Sequence, residues 1–283
     1  MDFWDFICQR RIFLGTVNTM LGLDKLESES IFIIREAYNK LKKIGLLWSL
    51  GKDSGVLIWL TKKAFFGQVP FPVIHLDTGK EFPETYEFRN KFKDIWGLNL
   101  IADQCPPIEN VSEDLPPASR FAARKSLGLK QTIKKYNFQG LISGIRRDEQ
   151  STRAKERIFS PRDNNNSWDF RDQPTELWGH YNTHVPLGAH VRIHPLLQWS
   201  EIDIWRYIER EQIPICPLYF SNNGKRFRSL GEIGITDPIE SKANSIKEII
   251  GELEETRDPE RAGRKMDHES EDVFEKLRTT GYL

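Results

Sequence analysis

The sequence predicts an α/β protein: a doubly wound, mostly parallel sheet flanked by helices, followed by an extended C-terminal tail carrying short helices. Two observations predict it. Short apolar runs of strand length alternate with longer amphipathic runs through the first two thirds of the chain. At residues 49–55 a buried-strand pattern also turns abruptly into a helical one through Ser49-Leu50-Gly51-Lys52-Asp53-Ser54-Gly55. Such a strand–turn–helix is the building block of doubly wound sheets, whose ligands bind beyond the C-terminal strand ends.

Taken in order, residues 1–23 read as an N-terminal arm rich in Phe, Trp, Ile and Leu. This arm is a candidate surface for a homo-oligomer. Leu26, Ser30, Ile33, Ile34, Ala37 and Leu41 recur at helical spacing and predict a helix before the first strand. Ile44 to Trp48 is that strand, and Val56 to Phe66 the helix after the turn. Pro72 to Asp77 is a second strand and Pro83 to Trp96 a helix with acidic residues in its first turn. Leu98–Ala102 is a third strand. Residues 105–120, with four prolines, read as a loop. Leu129–Tyr136 is a helix, Gly140–Ile145 a fourth strand, and 160–190 a long loop rich in Asn, Asp, Pro and Gly. Val191–Leu196 is a fifth strand. Ser200-Glu201-Ile202-Asp203 has the form of a capping box opening a helix through Glu211. The main α/β domain is expected over 24–212 and a lid or partner-binding extension over 213–283. That extension carries helices over Ile246–Glu255 and Glu271–Thr279.

Composition narrows the function. The 283 residues carry 41 Lys and Arg against 41 Asp and Glu, so bulk charge does not indicate a nucleic-acid or membrane partner. No apolar run reaches bilayer length, and the N-terminus lacks the basic and apolar regions of a secretory signal. The three cysteines, Cys8, Cys105 and Cys216, show no close pair. That pattern fits neither a disulfide framework nor a zinc site, and it suits a reducing cytoplasm. His75, His184, His190 and His194 have no metal-ligand spacing.

The turn at 49–55 is the strongest chemical signal. A turn that opens a helix leaves backbone N–H groups unpaired, and the helix dipole adds positive potential there. Ser49, Gly51, Lys52, Asp53 and Ser54 therefore describe a phosphate pocket. Asp53 can also orient the lysine or hold Mg2+. The loop is not G-x-x-x-x-G-K-[ST], because Leu46 stands where that pattern needs its first glycine. At the end of the fourth strand, Gly144 precedes Arg146 and Arg147, whose guanidinium forks match phosphate and sulfate. Asp77 ends the second strand, where it can hold Mg2+ or a ribose hydroxyl. Arg226 and Arg228, on either side of Phe227, suggest a lid over a nucleotide.

These residues resemble the phosphoadenosine-phosphosulfate (PAPS) reductase family of the ATP pyrophosphatase superfamily, and within it the small subunits of bacterial sulfate adenylyltransferases. The resemblance runs in one order through Ser49-x-Gly51-Lys52-Asp53-Ser54, His75-Leu76-Asp77-Thr78-Gly79 and Gly144-Ile145-Arg146-Arg147-Asp148-Glu149. It continues through Pro217-Leu218-Tyr219-Phe220, Arg226-Phe227-Arg228-Ser229-Leu230-Gly231 and the ending Gly281-Tyr282-Leu283. It implies cleavage of ATP between the α- and β-phosphates with release of pyrophosphate. Lys52, Asp53, Arg146 and Arg147 would be catalytic, and Ser49, Gly51, Ser54, Asp77, Gly144, Arg226 and Arg228 would bind nucleotide. Mg2+ would sit at Asp53 and Asp77. Sulfate would be the acceptor and a GTP-hydrolysing large subunit the partner. Glu232 stands where the family often has a cysteine. The alternative acceptor is a DNA phosphate activated for phosphorothioation with a cysteine desulfurase. A non-catalytic nucleotide-binding protein is a third reading, opposed by the intact Lys52, Asp53, Arg146 and Arg147.

Overall fold

The computed structural model describes residues 3–186, 188–256 and 260, without the side chains of 3–20, 118, 151 and 152. The chain opens with one continuous helix, α1 (Phe3–Lys40), which passes through the expected arm boundary at 23/24 without a break. The oligomer surface expected of the arm's side chains lies outside the described residues. So does the helix expected at Glu271–Thr279. There follow β1 (Ile44–Leu47), α2 (Lys52–Ala64), β2 (Val73–Asp77), α3 (Pro83–Ile95), β3 (Leu100–Gln104), α4 (Pro117–Tyr136) and β4 (Gly140–Ile142). After these come α5 (Ser151–Ala154), β5 (Phe159–Arg162), β6 (His190–Ile193), α6 (Glu201–Glu211), the short hairpin β7 (Lys225–Arg226) and β8 (Ile239–Glu240), and α7 (Ile246–Glu255).

The main sheet has the order β3-β2-β1-β4-β6-β5 and is parallel except for β5, which pairs antiparallel with β6. Strand order reverses between β1 and β4, which pair through Ile44–Gly140 and Leu46–Ile142. The chain leaves these two strands toward opposite sides and opens a crevice at their carboxyl ends. Side chains divide by the two-residue period of a strand. Leu46, Trp48, Val73, Ile142, Val191 and Ile193 enter the larger core with α1, α2, α3 and α6. Leu47, Ile74, Leu76 and Leu141 face the other way, onto Leu129 of α4 and Phe138. Trp48, just past β1, is buried against Phe88 and Trp96, with ring centroids 6.3 and 5.9 Å away.

Two expectations are corrected. The proline-rich 105–120 segment contains a 3-10 turn and the start of α4, which begins at Pro117 rather than Leu129. Proline is well suited to a first helical turn because its missing N–H has no intrahelical acceptor there. The 160–190 loop begins inside β5, an edge strand; its Pro161 is tolerated because a sheet edge demands fewer ladder bonds. The capping boxes at Ser200/Asp203 and Ser245/Glu248 are both formed.

His75 on β2 is buried, with Nδ1 3.2 Å from the carbonyl oxygen of Trp48. A carbonyl only accepts, so the neutral ring carries its proton on Nδ1. Burial lowers the His75 pKa from 6.5 to about 4. The unfolded chain therefore takes up a proton below pH 6.5 that the native state refuses, and stability falls between pH 6.5 and about 4. The contribution of His75 to that loss is about 1.4 kcal/mol per pH unit. Urea unfolding of wild type and His75→Gln at pH 7.5 and 5.0 should show a smaller pH loss in the variant; equal losses would mean His75 is not a source of the acid sensitivity.

Candidate active site

The turn after β1 reverses on Leu50, a buried leucine held at φ 63°, in the left-handed region that side chains other than glycine seldom adopt. Gly51 then starts α2 without a side-chain cap. The backbone N–H of Lys52 donates to the hydroxyl of Tyr219, 2.9 Å away. Burial pushes that hydroxyl up to about 12, so it stays protonated. Ser54 Oγ lies 3.1 Å from Ser49 Oγ and donates to the Gly51 carbonyl at 3.0 Å, which tightens the turn into a closed ring of contacts.

From the neighbouring strand, Gly144 brings the chain against this loop. A Cβ on it would stand 3.2 Å from the Asp53 carbonyl carbon and 3.3 Å from the Ser54 nitrogen. Backbone, unlike a side-chain tip, gives way poorly, so a side chain here would push the two strand ends apart. Gly144 acts by permitting this approach. Two residues on, Arg146 is fully buried and contacts Asp53, Asp148 and Glu260, with 3.0 Å to Asp148. Lys52, also buried, has its Nζ 3.2 Å from Asp53 and contacts Glu260. Burial works against the charge on Arg146, but Glu260, Glu149 and Asp148 around it raise its pKa further. Burial likewise works against the charge on Glu260, yet Arg146 and Lys52 hold its pKa well below the usual carboxylate range.

Beside this cluster a cavity of about 190 Å³ is lined by Ser49, Gly51, Lys52, Asp53, Ser54, Ser143, Gly144 and Glu260. Lys125 and Arg153 line it too. Lys125 lies 3.3 Å from Glu81 and 3.2 Å from Glu232, and Arg153 pairs with Glu149. Glu232 is therefore a buried anchor for a lysine on the cavity wall. Cavities of about 630 and 760 Å³ elsewhere are lined by residues such as Lys43, Ile44 and Pro72, or Asn137 and Gln139, near the opposite ends of β1, β2 and β4. Neither includes the loop.

The structure brings Ser49, Gly51, Lys52, Asp53, Ser54, Gly144 and Arg146 together and places four other predicted residues elsewhere. Arg147 turns away from Arg146 and reaches the Glu156 carbonyl at 3.4 Å. Asp77 has both oxygens engaged: Tyr86 and the Gly79 N–H donate to Oδ1 at 2.7 and 2.8 Å, and Arg89 donates to Oδ2 at 2.9 Å. Burial disfavours its charge, but these donors outweigh it and lower the Asp77 pKa. Its donor partners leave it ill suited to Mg2+, and among the described residues no group of three His, Cys, Asp or Glu is placed to hold a metal ion. Arg226 is buried against Glu252 (2.8 Å) and Ser241 (3.0 Å), and Arg228 forks onto Glu201 at 2.8 Å. Arg226 thus ties the hairpin to α7. Arg226→Met should cost about 2 kcal/mol, since Glu252 keeps partial access to water. The KM for ATP should not move; a rise in that KM would return Arg226 to the nucleotide.

Sequence reasoning missed Leu50, Ser143, Tyr219 and Glu260 as members of the site. Tyr219 stands within a segment that marks the resemblance, but a hydroxyl capping a loop 167 residues away leaves no local pattern.

With that geometry established, the chain's relatives are informative. Residues 43–238 match the phosphoadenosine phosphosulfate reductase domain. Relatives named sulfate adenylyltransferase subunit 2 match almost end to end. That of Stutzerimonas stutzeri is 40% identical, covering 94% of this chain and all of its own. That of Azotobacter vinelandii is 40% identical, covering 92% of this chain and 98% of its own. An FMN adenylyltransferase from Candida glabrata shares the fold at a TM-score of 0.56 and 18% identity, covering 87% of this chain and 88% of its own. The chain belongs to the PAPS reductase family of α/β proteins, and it is a nucleotidyltransferase-type enzyme. Within that family, its similarity over nearly the whole length is to sulfate adenylyltransferase subunit 2.

Proposed function

We propose that this chain is the ATP-cleaving subunit of a sulfate adenylyltransferase, joining ATP and sulfate to give adenylyl sulfate and pyrophosphate. The observation that carries the reading is the convergence of Lys52 and Arg146 on one buried anion position, at the crevice where strand order reverses. Terminal phosphates of ATP placed there would meet Lys52, Arg146 and the first-turn N–H groups of α2, which have no intrahelical acceptors. A sulfate oxygen then attacks the α-phosphorus in line, the α–β bond breaks, and its electrons pass to pyrophosphate. Sulfate is already a dianion and pyrophosphate a stable leaving group, so no general base is needed. The protein's task is to hold the reactants in line and neutralise charge growing on the bridging oxygen. Arg153 and Lys125, on the wall of the same cavity, are the cations nearest to hand for the sulfate.

Mg2+ would arrive as the ATP complex. Such ions take one or two carboxylates plus substrate phosphates, and Asp53 is the predicted magnesium residue that lines the cavity. Adenylyl sulfate is much less stable than ATP, so forward synthesis calls for an energy source. The partner proposed is the GTP-hydrolysing large subunit, in the cytoplasm. Identity of 39–40% over nearly the whole chain to subunits named for sulfate favours sulfate over a DNA phosphate as acceptor. No described helix is long and apolar enough to cross a membrane.

Pyrophosphate release from ATP, with sulfate and the large subunit present, tests the reading directly. Lys52→Ala should lose on the order of 10²–10³-fold in rate, the scale set by removing one transition-state donor. The variant should keep the wild-type circular dichroism spectrum. Unchanged turnover, or ADP and phosphate as products, would overturn the assignment. Turnover that depends on DNA instead of sulfate, together with a desulfurase, would move it to phosphorothioation.

A further inference from the structure

Glu260 holds the position that the proposed reaction needs for phosphate. Its Oε1 accepts from Lys52 Nζ and its Oε2 from Arg146 Nη2, so one carboxylate bridges both cations. The Glu260 side chain is almost wholly buried, 4% exposed, and its partners are 1% and 0% exposed. Asp53 and Asp148 contact the same cations, so Lys52 and Arg146 face three carboxylates. The cluster as it stands is net negative and has no charge left over to attract a triphosphate. The cavity beside it is also small. At about 190 Å³ it falls below the roughly 300 Å³ at which small-molecule pockets begin. Glu260 and the terminal phosphates of ATP therefore exclude each other, by charge and by volume.

We propose that Glu260 is an internal substitute for the terminal phosphates of ATP, and that nucleotide binds by exchanging this carboxylate for the triphosphate. The inference rests on the reading that the Lys52 loop receives those phosphates. The exchange has a chemical use. The enzyme handles two tetrahedral oxyanions, phosphate and sulfate, that any exposed Lys–Arg pair would accept alike. A triphosphate contacts Lys52, Arg146 and the α2 N-terminus at once and can repay the loss of Glu260. A lone sulfate cannot replace all those contacts, so the carboxylate keeps the acceptor out of the phosphate position. Asp53 and Asp148 are more open to water, at 19% and 40% exposed, so Glu260 is the buried counterion of the pair and relieves the cost of burying it while the nucleotide is absent. The apparent affinity for ATP is the intrinsic one multiplied by the fraction of molecules in which Glu260 has withdrawn.

Binding of inorganic tripolyphosphate to the full chain tests this by calorimetry. Glu260→Gln keeps the shape and removes the charge, and it should tighten tripolyphosphate by about ten-fold or more, since a like charge at contact range is removed. Inorganic sulfate should then compete with tripolyphosphate in Glu260→Gln at concentrations that leave wild type unaffected. Glu260→Asp, still charged, should stay near wild type. Equal or weaker binding by Glu260→Gln would overturn the proposal and leave Glu260 as a positioning residue for Lys52 and Arg146. Should Glu260→Gln fail to fold, hydrogen exchange of the wild-type peptide bearing Glu260 decides. Exchange there should quicken when tripolyphosphate saturates the chain, and unchanged or slower exchange refutes the swap. Failure of the underlying reading has a different signature: Lys52→Ala would bind tripolyphosphate as well as wild type, and the inference would fall with it.

Discussion

Two cations, Lys52 and Arg146, are buried side by side at the one place where the sheet reverses its strand order, and much of the molecule is arranged to make that tolerable. Like charges in a dry interior repel, and each loses its hydration. They persist because Asp53, Asp148 and Glu260 surround them, and because the loop and the strand end are locked together by Gly144 and Tyr219. The contacts of Asp53 with both cations make it an integral part of the cradle. Asp148 has a second task. Its Oδ2 accepts from the backbone N–H of Glu201 at 2.7 Å, so the same carboxylate that holds Arg146 also anchors the start of α6. Glu201 in turn receives Arg228. Charge at the site is thus wired into the packing of the elements behind it.

The same logic explains why the tail, and not only the α/β domain, belongs to the site. Tyr219 sits beyond α6 and caps Lys52; Ser229, Leu230 and Gly231 line the cavity; Glu260 enters it. Arg226, Ser241 and Glu252 bind one another and fasten the β7–β8 hairpin to α7. The arginines of the expected lid at 225–231 meet partners that the local sequence does not show. Arg226 and Arg228 each have a carboxylate already, one on α7 and one on α6. What remains over the cavity is the small, mostly uncharged stretch after them.

Much of the architecture was legible before any coordinates because its signals are local. The apolar strand runs, the glycine turn before Lys52, the capping boxes and the helical face from Leu26 to Leu41 depend on neighbours a few residues apart. Errors arose where a local signal had two meanings. Pro116 and Pro117 can end structure or start a helix, and here they start α4. Phe159 to Arg162 carries too little pattern to be read as a strand, and it becomes one because the edge of β6 was open to it. The turn at Ser49–Ser54 was readable for the same reason as the strands, being contiguous, and so was Arg146 at a strand end. Asp77 and Arg147 were read with equal logic, but hydrogen bonding to Tyr86, Arg89 and the Glu156 carbonyl draws them into other work.

By itself the sequence determined the fold class, the glycine turn at Ser49–Ser54 and a pair of arginines, Arg146 and Arg147, just past a strand end, since each is encoded within a short window by periodicity, a glycine turn or a charge at a strand end. Only tertiary structure decided which charges meet. Glu260 lies 208 residues from Lys52 and 114 from Arg146 along the chain, and no spacing rule connects them. The physical reason is that a buried charge is tolerated only with a counterion at contact distance, and folding alone determines which carboxylate supplies it.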